Sequence, residues 1–219
     1  MQVRTAIHPN KFPVPFGFGM HPSAGMPIAL GKNEQLFDEG DAADYFYQVV
    51  SGVIRSYKLL SDGRRQIDAF HLRGDIFGLE AGGDHRFSAE AVGDASVVAY
   101  RRSRLDSLTR EDPAFGEKIM TATLRNLARA QAHMLLLGRK TAEEKIAAFL
   151  LDMAERISKD DEHLDLPMQR SDIADHLGLT IETVSRILSR FARSGLIRLL
   201  PAGRSIGLCN RMALQSLNS

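Results

Sequence analysis

Short apolar runs separated by turn-forming pairs fill the chain between residues 28 and 102. The pairs recur at intervals of about ten residues, and one of them, Asp62-Gly63, is typical of a tight turn between antiparallel strands. Short strands at this spacing are typical of an antiparallel sandwich or barrel. The predicted strands are residues 45–50, 53–60, 66–71 and 97–101.

The apolar spacing changes after Pro113, where intervals of four and three residues alternate along a predicted long helix. This heptad seam consists of Met120, Leu124, Leu127, Gln131 and Met134. The seam either packs on the sheet of its own chain or pairs with the same helix of a second copy. The polar Gln131 and the additional leucines at 135–137 favour the second arrangement, a dimer helix.

Residues 169–191 contain the pattern of two short helices joined by a tight turn. Ile173 and Leu177 give the first helix an apolar face, Gly178 suits a left-handed turn, and Thr180 is a good N-cap for the second helix. The second helix directs four apolar residues inward: Val184, Ile187, Leu188 and Phe191. The pattern predicts a helix-turn-helix, a motif that places its second helix in the major groove of DNA.

Three polar residues on the outward side of this second helix have the chemistry to read base edges. Glu182 can accept a hydrogen bond from a cytosine amino group, and Arg186 can donate two bonds to a guanine. Ser185 can meet either a polar edge or a thymine methyl group. We therefore predict sequence-specific recognition of double-stranded DNA by these residues.

The residues after the helix-turn-helix predict a β-wing, with strands near 195–200 and 205–209 around a turn that carries Arg204. Arg204 at the tip can reach a phosphate. Between residues 180 and 211 six arginines face a single acid, Glu182. They are Arg186, Arg190, Arg193, Arg198, Arg204 and Arg211. Such a local basic cluster, in a chain of net charge +1, indicates a polyanionic partner.

Composition narrows the class of protein further. The chain is 44% hydrophobic and 25% charged, as is usual for a globular protein, and it contains no apolar run near the ~20 residues of a membrane span. Residues 1–25 are rich in proline and turn formers, which predicts a flexible leader rather than a signal peptide. We expect a cytoplasmic protein.

The cysteine and histidine content argues against metal centres and catalysis. Cys209 is the single cysteine, so a cysteine-based zinc site or iron–sulfur cluster within one chain is excluded. The seven histidines lack the close spacing of a metal site, and no nucleophile–base set is present. We predict no metal, no catalytic residue and no enzymatic activity. Cys209 lies on the wing, either as a small apolar strand residue or as a redox-sensitive group.

With these motifs in view, the chain resembles the CRP/FNR superfamily of bacterial regulators over about residues 31–208. Phrases at 36–41 (LFDEGD), 47–52 (YQVVSG) and 74–78 (GDIFG) match its β-roll. The resemblance implies an α+β fold in three parts after the leader. These are an N-terminal antiparallel β-roll of the cyclic-nucleotide-binding kind (26–112), a long dimerisation helix (113–138), and a C-terminal winged helix-turn-helix (139–219).

Residues 177–186 look like the recognition helix of the FNR/FixK branch. The resemblance implies a homodimer that binds a TTGAT-N4-ATCAA-like palindrome and recruits RNA polymerase as an activator. It implies target genes for microaerobic or anaerobic respiration or nitrogen fixation. Phosphate contacts would fall on Arg170, Thr180, Thr183 and Arg204. One departure is Gln169, where the family often has a serine or threonine cap.

The sensor side departs more from the family. Phe87 stands where cAMP-binding members have an arginine for the cyclic phosphate, and the N-terminal cysteines of oxygen-sensing members are absent. We therefore expect no cofactor and no response to cAMP, as in the FixK-like members. The alternative is a ligand-gated member of the same superfamily that senses haem or another small effector, with His71 or His85 as the axial ligand in the case of haem.

Overall fold

The structure is a computed structural model that describes residues 25–157, 163–200 and 205–218. The chain divides into two compact units. One comprises the described residues up to Lys58 together with Ala69–Leu127. The other comprises Leu59–Asp68 and the described residues from Ala128 onwards. The predicted leader falls outside the described residues except Gly25, which was wrongly assigned to it, since Gly25 pairs with Tyr100 in a strand.

Two antiparallel sheets, with strand orders β1-β8-β3-β6 and β2-β7-β4-β5, form most of the first unit. The last residue of β4 and the first four residues of β5 belong to the second unit. The strands are β1 (Gly25–Leu30), β2 (Gln35–Phe37), β3 (Tyr45–Ser51), β4 (Ile54–Leu59), β5 (Arg65–His71), β6 (Ile76–Phe77), β7 (Ser88–Ala91) and β8 (Ala95–Arg101). The four predicted strands correspond to β3, β4, β5 and β8 within two residues at each end. The predicted turn at Asp62-Gly63 is also present, with Gly63 at a φ of +85°.

Alternation along the central strands supplies the core on both faces of the first sheet. On β3, Tyr47 faces the second sheet while its neighbour Phe46 faces the opposite side, because successive side chains of a strand point to opposite faces. The opposite side is covered by α1 (Leu105–Glu111) and the beginning of α2 (Pro113–Arg139), through Leu108, Phe115 and Ile119. Buried residues therefore lie on both faces of this sheet, and the first turns of α2 pack against it.

The long helix α2 starts at proline and runs for 27 residues. Pro113 suits the first helical position, where no backbone N–H is needed, and the Asp112 carboxylate accepts from the Phe115 N–H at 3.2 Å. Farther along, Asn126 Nδ2 donates to the carbonyl of Ile76 at 2.8 Å. These contacts hold the first half of α2 against its sheet.

The second unit contains a helix-turn-helix and a small three-stranded sheet of order β10-β11-β9. Its elements are α3 (Ala142–Ile157), β9 (His163–Asp165), α4 (Arg170–Leu177), α5 (Ile181–Arg193), β10 (Ile197–Leu199), β11 (Ser205–Leu208) and α6 (Arg211–Asn218). The sequence predicts an acidic loop over residues 159–163, of which only His163 is among the described residues. For His163 the prediction was wrong: it is the first residue of β9, which is held by pairing with β11, some forty residues farther along.

Candidate nucleic-acid interface

The turn between α4 and α5 has the local geometry that the sequence predicts. Gly178 adopts a φ of +63°, a left-handed conformation that costs glycine little because it has no side chain. The next residue, Leu179, donates its N–H to the carbonyl of Ala174 at 3.0 Å. Thr180 then caps α5 by accepting from the Thr183 N–H at 3.2 Å. These bonds fix where α5 begins and hence which residues lie on each face.

The helix α5 separates an apolar inner face from a polar outer face. The inner face is buried as predicted and consists of Val184, Ile187, Leu188 and Phe191. Glu182 and Arg186 are exposed, and Ser185 is half-buried between them. Residues three and four apart share one face of a helix, so these three side chains lie together. The structure thus brings the three predicted base-reading residues onto one surface.

On the outer face of α5, local hydrogen bonds stabilise the ionised form of the Glu182 carboxylate. Hydrogen bonds from the backbone N–H of Glu182 itself and from the Thr180 hydroxyl hold the pKa of Glu182 below its usual range. An ionised carboxylate is an acceptor only, whereas the guanidinium of Arg186 is a donor only. At neutral pH the surface therefore presents one fixed acceptor and one fixed donor a helical turn apart.

Arg170, expected to contact phosphate, lies beside a predicted base-reading residue. It is the first residue of α4, and its NH1 donates to the Ser185 hydroxyl oxygen at 3.2 Å. The other two predicted phosphate-contact residues in the described region, Thr180 and Thr183, lie at the start of α5. The contact between Arg170 and Ser185 is invisible in the sequence, because it joins two helices across the turn.

The first helix of the motif is anchored by an ion pair that sequence reasoning missed. Arg65, at the tip of the β4–β5 hairpin, donates to Asp172 Oδ1 at 2.7 Å and to Asp175 Oδ2 at 2.9 Å. Asp172 is almost fully buried, and its other oxygen accepts from the Gln169 N–H at 3.0 Å. Asp172 and Gln169 thus form a capping box at the start of α4, although Gln169 is not the usual serine or threonine.

Two histidines, one on α2 and one on α4, stack against each other. The rings of His133, on α2, and His176, on α4, are 4.1 Å apart between centroids and nearly parallel. His176 Nδ1 donates to the carbonyl of Ile67 at 3.1 Å. Burial of its imidazole, with the neighbouring His133 as a smaller cause, lowers the pKa of His176 to about 3. Burial also lowers the pKa of His133, so both rings are neutral at physiological pH.

The predicted wing is a β-ribbon in which Ile197 of β10 pairs with Leu208 of β11. Arg204 and the remainder of the turn at 201–204 lie outside the described residues. Cys209 follows β11 and is exposed. Of its two interpretations, that of a small apolar strand residue was wrong, since β11 ends one residue earlier and the side chain is exposed.

The heptad seam of α2 is open to solvent in this chain. Its four apolar members, Met120, Leu124, Leu127 and Met134, are between 55 and 67% exposed. Gln131 is exposed as well. Packing on the sheet of the same chain uses Phe115 and Ile119 instead. The seam is thus an uncovered apolar stripe along one face of a long helix.

The interior of the β-roll is occupied by aromatic rings. His85, Phe37, Tyr47, Phe77 and His71 form a continuous series, with successive centroids 3.6, 5.4, 5.5 and 4.3 Å apart. His71 also contacts the Ser56 hydroxyl at 3.0 Å through its Nε2 atom. Both histidines suggested as haem ligands therefore lie flat against a phenylalanine.

Two further features bear on the class of protein. Among the described residues, no cluster of three or more histidine, cysteine or acidic side chains could hold a metal ion. Within the same ranges, each helix is too short or too polar to cross a lipid bilayer.

The chain is similar to known proteins along most of its length. Residues 27–112 match the family model of a cyclic nucleotide-binding domain, and residues 144–217 match that of a Crp-like helix-turn-helix domain. The nitrogen fixation regulation protein FixK of Azorhizobium caulinodans is 46% identical over 199 residues, covering 89% of this chain and 80% of that protein. FixK of Rhizobium meliloti is 45% identical over 183 residues, covering 84% of this chain and 82% of that protein.

A solved structure agrees with these relatives. FixK2 from Bradyrhizobium japonicum matches with a TM-score of 0.82 and 48% identity, over 89% of this chain and 98% of that chain. The chain belongs to the CRP/FNR family of transcription regulators, in its FixK-like branch. The predicted order of antiparallel β-roll, long helix and C-terminal helix-turn-helix is confirmed. Since the relatives are transcription regulators, the prediction that the chain is not an enzyme is also confirmed.

Proposed function

We propose that this regulator binds a TTGAT-N4-ATCAA-like inverted repeat by inserting the outer face of α5 into the major groove. The observation that carries the proposal is the division of α5, with its apolar face fully buried and Glu182, Ser185 and Arg186 gathered on the other side. The fixed acceptor and fixed donor on that face match a cytosine amino group and a guanine edge. Arg170, Thr180 and Thr183, which lie at the starts of α4 and α5, are proposed as phosphate contacts together with Arg204.

A binding-site selection tests this proposal directly. Purified protein is incubated with random duplexes, and the bound fraction is sequenced over several rounds. We expect an inverted repeat whose half-sites resemble TTGAT, bound at least a hundredfold more tightly than a scrambled duplex of the same composition. Equal affinity for the repeat and the scrambled duplex would contradict the proposal.

The active form is proposed to be a homodimer paired along α2. An exposed apolar seam at heptad spacing is the surface that two parallel helices bury against each other. A two-fold axis along the paired helices would set two recognition helices about 34 Å apart, one turn of DNA. Gln131 would lie in the seam as its one polar member, where it fixes the register of the pair.

Light scattering of the purified protein measures its oligomeric state. We expect a dimer for the wild type and for Arg125→Gln, a change at an exposed position outside the seam. We expect Leu127→Glu to be monomeric, because it places a charge in the apolar seam. A wild type that stays monomeric at micromolar concentration would argue against a paired seam.

We also propose a cytoplasmic activator that recruits RNA polymerase at nitrogen-fixation or microaerobic respiration genes. Similarity to the nitrogen fixation regulation proteins FixK supports the choice of regulated process. Transcription in vitro from a promoter carrying the selected repeat, with purified polymerase, tests activation. A transcriptome of a deletion strain under low oxygen tests the set of genes.

The β-roll is proposed to work without a cofactor. The absence of the phosphate-binding arginine at Phe87 supports this proposal, as does the ring stack between the two sheets. In the alternative, a ligand-gated regulator, His71 or His85 would have to leave its place against a phenylalanine to bind haem. A visible absorption spectrum of the purified protein separates the two, since haem gives a strong Soret band.

A further inference from the structure

We propose that Arg170 is a positioning residue for base reading, which sets the Ser185 hydroxyl as a hydrogen-bond donor towards DNA. This inference rests on the proposed function, in which Ser185 faces the major groove. It goes beyond the phosphate contact expected of Arg170, because the guanidinium touches a base-reading side chain as well. The contact is a hydrogen bond of 3.2 Å from Arg170 NH1 to Ser185 Oγ.

The direction of this bond follows from the two groups. A guanidinium has only donors, so the serine oxygen must be the acceptor. A hydroxyl has one hydrogen and two lone pairs. With one lone pair used and a positive charge beside the oxygen, the remaining O–H becomes a stronger donor and the oxygen a weaker acceptor. Ser185 would then favour an acceptor edge, such as thymine O4 or a purine N7, over an amino group.

Both partners are held in place by their own helices. Arg170 begins α4, whose start is fixed by Asp172, which binds the Gln169 N–H and the Arg65 guanidinium at once. Ser185 lies in the second turn of α5, whose register is fixed by the Thr180 cap and by Val184, which is fully buried. The bond therefore joins two helices whose starts are each fixed by hydrogen bonds.

The guanidinium has donors to spare for a phosphate. It carries five N–H groups, and the bond to Ser185 uses NH1. A single side chain can therefore contact the backbone and orient a base-reading hydroxyl at the same time. The two roles differ in their consequences, because a phosphate contact carries no sequence information whereas an oriented hydroxyl does.

A double-mutant cycle on a set of duplexes tests the inference. The proteins are wild type, Arg170→Gln, Ser185→Ala and the double variant, each shown to be folded by its melting temperature. The duplexes are the selected repeat, a scrambled duplex, and repeats with every base pair of the half-site changed symmetrically in turn. Arg193→Gln, on the last turn of α5, is the matched control for the loss of one positive charge. Arg170→Lys keeps the positive charge but replaces the planar guanidinium with a compact ammonium group.

We expect Arg170→Gln to weaken binding to every duplex and, in addition, to reduce discrimination about five- to tenfold at one base pair, the one that Ser185→Ala affects. In the Ser185→Ala background, Arg170→Gln should reduce that discrimination no further. Arg193→Gln should weaken all duplexes by one factor, and Arg170→Lys should lie between wild type and Arg170→Gln.

Two results would overturn the inference while leaving the proposed function intact. One is a uniform loss across all duplexes in Arg170→Gln, which would make Arg170 a phosphate contact only. The other is an additive loss of discrimination in the double variant. A wild type without any preference for the repeat would overturn the proposed function, and the inference with it.

Discussion

The β-roll and the helix-turn-helix each contain a glutamate and an arginine close together, but the pair is buried in the β-roll and exposed on the helix-turn-helix. In the β-roll, Arg55 Nε donates to Glu90 Oε1 at 2.7 Å, and both residues are buried. On α5, Glu182 and Arg186 lie one turn apart and are both exposed. Buried charges must satisfy each other, whereas exposed ones keep their hydrogen-bonding capacity for a partner. The same residue types thus form a buried pair in one region and remain exposed in the other, where we propose that they bind DNA.

The histidines also differ between the two regions, although all four of those described below stack on another ring. His71 and His85 complete an aromatic series between two sheets, so they serve as core rings. His133 and His176 also stack, but His176 is part of α4, the helix that carries Arg170. Protonation of His133 or His176 would therefore disturb the position of α4 as well as the core.

The largest effect is expected from breaking the buried pair. Glu90→Ala leaves the guanidinium of Arg55 buried without its carboxylate and should lower the free energy of unfolding by about 3–5 kcal/mol. Urea unfolding followed by circular dichroism measures this loss. Glu39→Ala is the control, because Glu39 pairs with Lys58 at the surface. It should cost less than about 1 kcal/mol, and equal losses in the two variants would contradict the contrast.

A smaller loss is expected where the hairpin holds α4. Arg65→Ala removes the charged partner of the buried Asp172 but leaves that carboxylate its bond from Gln169, so we expect a loss of about 2 kcal/mol. The neighbouring Arg64 is mostly exposed and pairs with Asp62, which makes Arg64→Ala a matched control. The midpoint of urea unfolding should fall clearly for the first variant and hardly change for the second. The reverse order would show that the hairpin contact does not stabilise α4.

At the residues proposed to contact DNA, substitution should change DNA binding and leave the stability of the fold unchanged. Arg186→Ala should weaken binding to the selected repeat by about 1–3 kcal/mol and relax the preference at one guanine in each half-site. Arg204→Ala should weaken all duplexes alike and reduce the dependence of affinity on salt. Fluorescence anisotropy titrations at several salt concentrations measure both. Uniform losses in the two variants would refute the assignment of Arg186 to base reading.

The histidine stack predicts a loss of stability in acid. Burial lowers the pKa of His176 to about 3 in the folded protein, from about 6.5 when unfolded. Between these values the unfolded chain binds more protons, so stability falls as pH drops below about 6.5, by up to ~1.4 kcal/mol per pH unit. Urea unfolding between pH 7.5 and 5 should show a shallower slope for His176→Phe than for the wild type. His163→Gln, at an exposed position on β9, should keep the wild-type slope.

The smallest effect is expected at Cys209. The exposed thiol lies one residue beyond the wing strand β11, so Cys209→Ala should leave binding by the reduced protein unchanged. Oxidation to a sulfinic or sulfonic acid would add negative charge at the end of the wing, which we propose lies close to the phosphates of bound DNA. Peroxide should therefore weaken DNA binding severalfold in the wild type and not in the variant. Equal sensitivity in both proteins would place the effect elsewhere.

Much of the candidate site could be predicted because its signals are local. The left-handed Gly178, the Thr180 cap and the burial of Val184 follow from hydrogen bonds and side-chain spacing within about one turn of helix. The strand β9 could not be predicted in the same way. It is a three-residue segment whose partner, β11, follows about forty residues later, so nothing near His163 in the chain marks it.

The sequence by itself determined the long helix, the helix-turn-helix, four strands of the β-roll and the two faces of α5, because periodicity and capping act within a few residues. Only the tertiary structure decided that Arg65 would hold Asp172, 107 residues away, and that Arg170 would bond Ser185 across the turn. It likewise decided that four histidines would become stacked rings. Such pairs are fixed when distant segments pack and their polar groups must find partners, a choice that no local pattern records.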